Sequence, residues 1–191
     1  MKTVLIGASG ASGMPVLEDV LRILRESGDH RSVLILSDGA EEVQRAECGD
    51  TADAVRNLAD EVQDVHDICA PCASGTYDAA GMIIVPCSMK TLAGIHSGYA
   101  ENLLLRAADV TIKEKRPLVL GVRETPLSPI HLRNMQELSM LPQVHIMPLM
   151  MSFYHRPQTI GEMTRQMALR LLGPFGVGSG ELLRWGTEKP R

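Results

Sequence analysis

Seven residues near the N-terminus, Gly7-Ala8-Ser9-Gly10-Ala11-Ser12-Gly13, combine small side chains, two hydroxyls and three glycines spaced by three. Glycines let backbone N–H groups approach an anion closely, Ser9 and Ser12 add donors, and a helix starting near Pro15 brings its positive end. The chemistry this suits is phosphate binding. A tight strand-to-helix turn without a ligand is the plainer alternative, but three regularly spaced glycines exceed what such a turn needs. Ser37, the run Ser88-Met89-Lys90-Thr91, Arg123-Glu124 and Phe153-Tyr154 lie near the ends of later apolar runs. Single hydroxyls in loops are usually helix caps, so their recurrence at strand ends is the signal. Arg106 and Lys113, seven residues apart, share one helix face, and Arg170 borders the apolar stripe Ile160, Met163, Met167, Leu171. A solvated face for the first two, and snorkelling or an ion pair for Arg170, stand beside an anion-binding role. Glu47 reads from pattern alone as solvated.

Other chemistry is weaker. Cys69-Ala70-Pro71-Cys72 has the spacing of a redox pair, but loop residues follow it where a thiol-activating helix is needed. No second such pair completes a zinc site, and the six histidines never take a metal-ligand spacing. No metal is expected. The eleven methionines, many between Met135 and Met167, read as core filler.

The elements that must position these groups alternate strand and helix. Apolar runs at 2–7, 31–36, 81–86, 117–122 and 144–150 read as strands. Helices are expected near 14–24, 40–47, 52–62, after Ser88, from Asn102 to about Glu114, over 128–140 and over 159–172, with a Gly-rich tail or arm from 174 to 191. Repeated βα units predict one α/β domain over 1–173: a Rossmann-like or flavodoxin-like parallel sheet with helices on both faces. Ligands of such sheets sit at the carboxyl ends of the strands.

Composition narrows the partners. A net charge of −4 argues against nucleic acid, which calls for a basic excess. No apolar run approaches the ~20 residues that span a bilayer, and the chain opens on a strand without a signal-peptide layout. The expected compartment is the cytoplasm.

Taken together, several strings resemble the UbiX/Pad-type flavin prenyltransferases, partners of UbiD-type aromatic acid decarboxylases. They are GASGA at 7–11, ASG at 73–75, PCSMKTLAGI at 86–95, the stretch 102–128, IHLRNMQELS at 130–139, FYHRPQTI at 153–160 and LLRWG at 182–186. The resemblance implies an FMN-binding enzyme that moves a dimethylallyl unit from dimethylallyl monophosphate to N5 and C6 of reduced FMN without a metal. It also implies a homo-oligomer, a dodecamer in the family, with sites where subunits meet, and a UbiD-type decarboxylase that receives the prenylated flavin.

By the same resemblance Gly7, Ala8, Ser9, Ser37, Ser88, Met89, Lys90, Thr91 and Arg123 match FMN-binding positions. Tyr154 and Arg170 match holders of the prenyl phosphate, with Arg106, Lys113, Glu124 and Ser74 around it. Trp185 matches an aromatic near the prenyl group. Ser9 and Glu47 match proton-handling positions, Glu47 serving as a shuttle if burial raises its pKa. The chain departs from the family pattern at Ile68, Leu141-Pro142, Met150-Met151-Ser152 and Leu172-Gly173, which bear on pocket shape.

Three other readings address the same residues. An FMN-dependent cysteine decarboxylase of related fold needs a histidine near the first helix, and none lies between Met1 and Glu26. A short-chain NAD(P) oxidoreductase needs Tyr-x-x-x-Lys, and Tyr77, Tyr99 and Tyr154 are followed four on by Gly81, Leu103 and Gln158. A non-catalytic FMN carrier has the same binding residues as the enzyme.

Overall fold

A computed structural model describes residues 1–49 and 52–186. The order of elements is β1 (Lys2–Ala8), α1 (Met14–Ser27), β2 (His30–Leu36), α2 (Asp38–Cys48), α3 (Ala52–Leu58), β3 (Glu61–Gln63) and β4 (Ala79–Cys87). Then come α4 (Met89–Ser97), α5 (Leu103–Lys113), β5 (Leu118–Val122), α6 (Pro129–Ser139), β6 (Val144–Ile146) and α7 (Ile160–Leu172). All strand pairs are parallel, in the order β3-β2-β1-β4-β5-β6. The expected α/β sheet is therefore present. It grows from β1 outward to β3, then restarts on the other side of β1 with β4. The reversal leaves a crevice beyond the carboxyl ends of β1 and β4, where ligands of such sheets bind.

Strand periodicity sorts side chains onto two faces. Val4, Ile6 and Leu34 meet α1 and α7 in one core, with Leu17, Leu21, Leu24, Leu169 and Leu172. Leu5, Val33, Ile35, Met82 and Ile84 meet α4 and α5 in the other, with Leu92, Leu103 and Ala107. Each fully buried leucine or valine contributes about 1.5–3 kcal/mol, so the buried stripe of α1, Met14 to Leu24, fixes that helix firmly on the sheet. One consequence governs the site: α5 and α7 lie on opposite faces.

Short polar residues start the helices. Ser37, Ser88, Asn102, Ser128 and Thr159 each accept a backbone N–H of the first turn, which supplies partners for donors a helix cannot satisfy itself.

Three expectations change. The helix from Ala52 stops at Leu58, and Glu61–Gln63 forms an edge strand instead of a last helical turn. Asp60 fixes this edge: its carboxylate accepts the Ser32 N–H at 2.7 Å and hydroxyl at 2.9 Å, while its own N–H donates to Ser32 Oγ. β6 ends at Ile146, although Met147 and Leu149 still donate backbone bonds to Leu120 and Val122; Pro148 between them has no N–H to give. Met14 and Met82 are core residues, but Met140 and Met150 are exposed rather than filling it.

Beyond α7 a short 3-10 turn covers Gly173–Phe175, Val177 is buried, and Phe175 and Leu182 pack on the first core. Residues 187–191 of the expected tail lie outside the described residues.

Candidate active site

Ser9 stands at the switch point, 2 % exposed. Its N–H donates to the Pro86 carbonyl at 3.0 Å, which ties the end of β1 to the end of β4. Its Oγ accepts the Ser88 N–H at 2.8 Å. The same hydroxyl lies 3.3 Å from the Pro86 carbonyl and 3.2 Å from Ser88 Oγ, one proton for two acceptors. Ser88 Oγ in turn donates to Thr91 Oγ1 at 3.2 Å. Ser9, Ser88 and Thr91 thus form a chain of hydroxyls able to reorient toward a ligand.

A cleft of 840 Å³ opens over this chain. Ser37, Asp38 and Gly39 of α2 and Ser88, Lys90 and Thr91 of α4 border it, so two helix N-termini meet one space. The walls approach closely at Gly10 and Gly39, where a Cβ on either would lie 3.3 Å from the other's backbone. Hydroxyl donors and two positive helix ends suit a phosphate, and the volume is in the ordinary range for a cofactor pocket. FMN fits these residues. His66, Asn102 and Asn134 also line the cleft; nothing in their spacing pointed there, because they arrive from separate elements.

Not every expected cofactor residue lines it. Ala8 and Met89 are buried, and Gly7 lies under α5, where a Cβ would stand 2.4 Å from Leu104 Cδ1. Arg123 is exposed, with its N–H on the Cys87 carbonyl at 3.1 Å.

The N-terminus of α1 departs from the phosphate expectation. Glu47 reaches back from α2, and its carboxylate accepts the N–H groups of Gly13 at 3.0 Å and Met14 at 2.9 Å. The positive end of α1 therefore holds an internal carboxylate. Burial tends to raise the Glu47 pKa, but the Ser12 hydroxyl, the Gly13 and Met14 N–H groups and the nearby Arg123 charge outweigh it and hold the group below its ordinary value. The condition set for a shuttle, a pKa raised by burial, is not met: at neutral pH Glu47 is a carboxylate and can accept a proton, not donate one.

A depressed carboxylate stabilises the fold above its unfolded pKa and loses that contribution as pH falls through the folded value. The stability gap between wild type and Glu47→Gln, followed by urea unfolding, is expected to stay constant above about pH 5 and to shrink on further acidification. A gap that widens toward acid contradicts this placement.

The remaining predicted residues form separate groups. On the α5 face the Arg106 Nε donates to the Ala73 carbonyl at 3.2 Å and its Nη1 to Asp109 at 2.7 Å. Ser74 and Thr76 share a hydroxyl bond at 2.9 Å, and Lys113 pairs with Glu114 over Gly75. Ser74, Arg106 and Lys113 are thus brought together. On the other face, Arg170 is exposed on α7 and makes no side-chain hydrogen bond or ion pair among the described residues. Tyr154 and Trp185, 70 % and 80 % exposed, stack edge to face with centroids 4.8 Å apart. Among the described residues Glu124 accepts only its neighbour's N–H, from Thr125. No disulfide forms among the described residues; burial pushes the Cys72 thiol up to about 11 and Cys87 to about 12.

Residues 1–169 match the Flavoprotein family. Over 187 residues the chain is 43% identical to the flavin prenyltransferase UbiX of Escherichia coli strain K12, covering 97% of this chain and 98% of that one. It belongs to the UbiX flavin prenyltransferase family. Identity to UbiX of Methanothermobacter thermautotrophicus is 42% over 185 residues, 97% and 96% of the two chains. Among solved structures, AnUbiX (PadA1) in complex with FMN and dimethylallyl pyrophosphate superposes with a TM-score of 0.93 at 40% identity, over 98% of this chain and 99% of that one. A dodecameric FMN-dependent UbiX-like decarboxylase from Escherichia coli O157:H7 gives 0.92 at 40%, over 97% and 100%. The peptidyl-cysteine decarboxylase EpiD, at 16% identity and 0.61, over 80% and 84% of the chains, shares the fold alone. Among the described residues no helix is long and apolar enough to cross a membrane.

Proposed function

We propose that this chain is a flavin prenyltransferase that moves a dimethylallyl unit onto reduced FMN, at a site completed by neighbouring subunits. The observation that carries the reading is the hydroxyl-lined cleft at the β1–β4 switch, in a chain 43% identical to a flavin prenyltransferase over 187 residues. Ser9, Ser37, Ser88 and Thr91 hold the flavin and its phosphate, with Lys90 at the rim. When bound, reduced FMN supplies the N5 and C6 atoms to which the prenyl carbons bond.

The protein's own work is on the other substrate. Breaking the allylic C–O bond of dimethylallyl monophosphate leaves a phosphate whose charge must be neutralised. Arg106, Lys113, Arg170 and the Tyr154 hydroxyl supply that neutralisation, each charge-assisted hydrogen bond contributing about 1.5–3 kcal/mol. Ser74 and Glu124 orient this cluster. The ring faces of Trp185 and Tyr154 stabilise a developing allyl cation through their quadrupoles. Glu47 accepts a proton, and the Ser9 hydroxyl relays one along Ser88 and Thr91.

The reading requires assembly. Arg106 and Lys113 lie on α5 and Arg170 on α7, across the sheet from each other, so one phosphate meets all three only where copies adjoin. Exposed Ile130, Leu132, Phe153 and Ile160 offer apolar surface for such contacts, and a relative is dodecameric. The reading places the enzyme in the cytoplasm, with a UbiD-type decarboxylase taking its product.

The test is anaerobic incubation with reduced FMN and dimethylallyl monophosphate, followed by mass spectrometry of the extracted flavin. A gain of one C5H8 unit is expected. An unchanged flavin, with the diphosphate donor tried as well, overturns the reading.

A further inference from the structure

The segment carrying Trp185 is fastened at a point that none of the substrate groups explains. A single nitrogen of Arg165, Nη2, donates to Glu26 at the end of α1, at 2.9 Å, and to Glu181 beyond α7, at 2.7 Å. The next residue, Gln166, takes the main chain on both sides of Leu182: its Oε1 accepts the Leu183 N–H at 3.0 Å and its Nε2 donates to the Glu181 carbonyl at 3.4 Å. Leu182 packs into the first core. Exposed ion pairs of this kind contribute little stability, and the Arg165 side chain is 30 % exposed. Their geometry is informative instead. α1 is anchored in the core, so Glu26 is a fixed post, and Arg165 links that post to the returning chain. Two residues past Leu183 the Trp185 ring meets Tyr154, 4.8 Å between centroids at 66°. Neither ring has deep burial to hold it.

We propose that Arg165 and Gln166 are positioning residues for the prenyl subsite: they fasten residues 181–183 to α7 so that Trp185 is held against Tyr154. The inference rests on the reading that these two rings bound the prenyl group. Neither Arg165 nor Gln166 touches substrate; both act through the aromatic pair. An aromatic pair held in place meets the donor without ordering a loose segment first, which lowers the entropic cost of binding.

Trp185 is the sole tryptophan of the chain, so its fluorescence reports the fastening directly. The experiment compares FMN-loaded wild type with Arg165→Ala, Arg165→Lys and Gln166→Ala. In Arg165→Ala the Trp185 anisotropy is expected to fall and its emission to move to longer wavelength. KM for dimethylallyl monophosphate is expected to rise about tenfold, with kcat and FMN affinity within about twofold. Arg165→Lys, which keeps one charged contact, recovers part of both signals. Gln166→Ala, which leaves α1 untouched, gives a smaller version and serves if Arg165→Ala does not fold.

Unchanged anisotropy in both alanine variants overturns the proposal. So does a fallen anisotropy with unchanged KM, since the fastening then positions nothing. Loss of fixed Trp185 in a protein whose wild type leaves flavin unmodified instead sinks the prenyltransferase reading, and the two failures are told apart.

Discussion

Glu47→Gln is expected to leave FMN bound and to slow prenylation by about 10²–10⁴-fold, the range lost with a positioned acid–base group. The amide is isosteric, so one oxygen still accepts an N–H from the glycine turn, and α1 keeps a cap at its start. What disappears is the negative charge that Ser12, Gly13, Met14 and Arg123 jointly favour. A carboxylate stabilised this well is a weak base in isolation, and its value lies in placement: it joins the end of α2 to the turn that follows β1. Flavin affinity is read by fluorescence titration and prenylation by anaerobic single turnover. Prenylation within twofold of wild type removes Glu47 from the mechanism and leaves it as a helix cap.

Arg170→Ala is expected to raise KM for the prenyl phosphate roughly 10–100-fold, as one charged hydrogen bond of about 1.5–3 kcal/mol predicts. FMN affinity should change less than about twofold, and unfolding free energy by less than about 0.5 kcal/mol. The small stability effect is the sharper half. Arg170 is exposed and has no side-chain partner among the described residues, so its removal leaves no buried group unsatisfied within a subunit. The other arginine of α7 is committed, Arg165 to Glu26 and Glu181. An arginine kept free at the edge of an apolar stripe fits a ligand from outside the chain. Equal loss of FMN and prenyl phosphate shows a structural role instead.

Much of the architecture was legible locally. Apolar runs of strand length alternated with helical stripes, and Ser88 and Asn102 stood where a first turn needs an acceptor. Ser9, Ser37 and Ser88 were legible as a set because each follows a strand, and parallel topology gathers all strand ends at one edge. The misses depend on distant partners. β3 is three residues long and exists because Ser32 and Asp60, 28 residues apart, pair across its edge. Glu47 looked solvated because its partners lie 33 and 34 residues earlier in the chain. The resemblance lifted it to the reacting edge, yet burial, the cause it invoked, is outweighed by hydrogen bonds. The methionines mark the core in part, because hydrophobic type alone does not say which way a side chain faces: Met135, Met147, Met151 and Met167 pack against it, while Met140 and Met150 are exposed. The scatter of Arg106, Lys113 and Arg170 over two faces had the same origin, since spacing along a helix says nothing about which side of the sheet the helix takes.

Subunit mixing tests that scatter most directly. Lys113→Ala and Arg170→Ala oligomers, each impaired alone, are dissociated, mixed and reassembled, and prenylated flavin is measured by mass. If the phosphate is gripped by α5 of one copy and α7 of another, some mixed interfaces regain both cations, and activity rises well above either parent. Mixed oligomers no more active than their parents contradict a shared site.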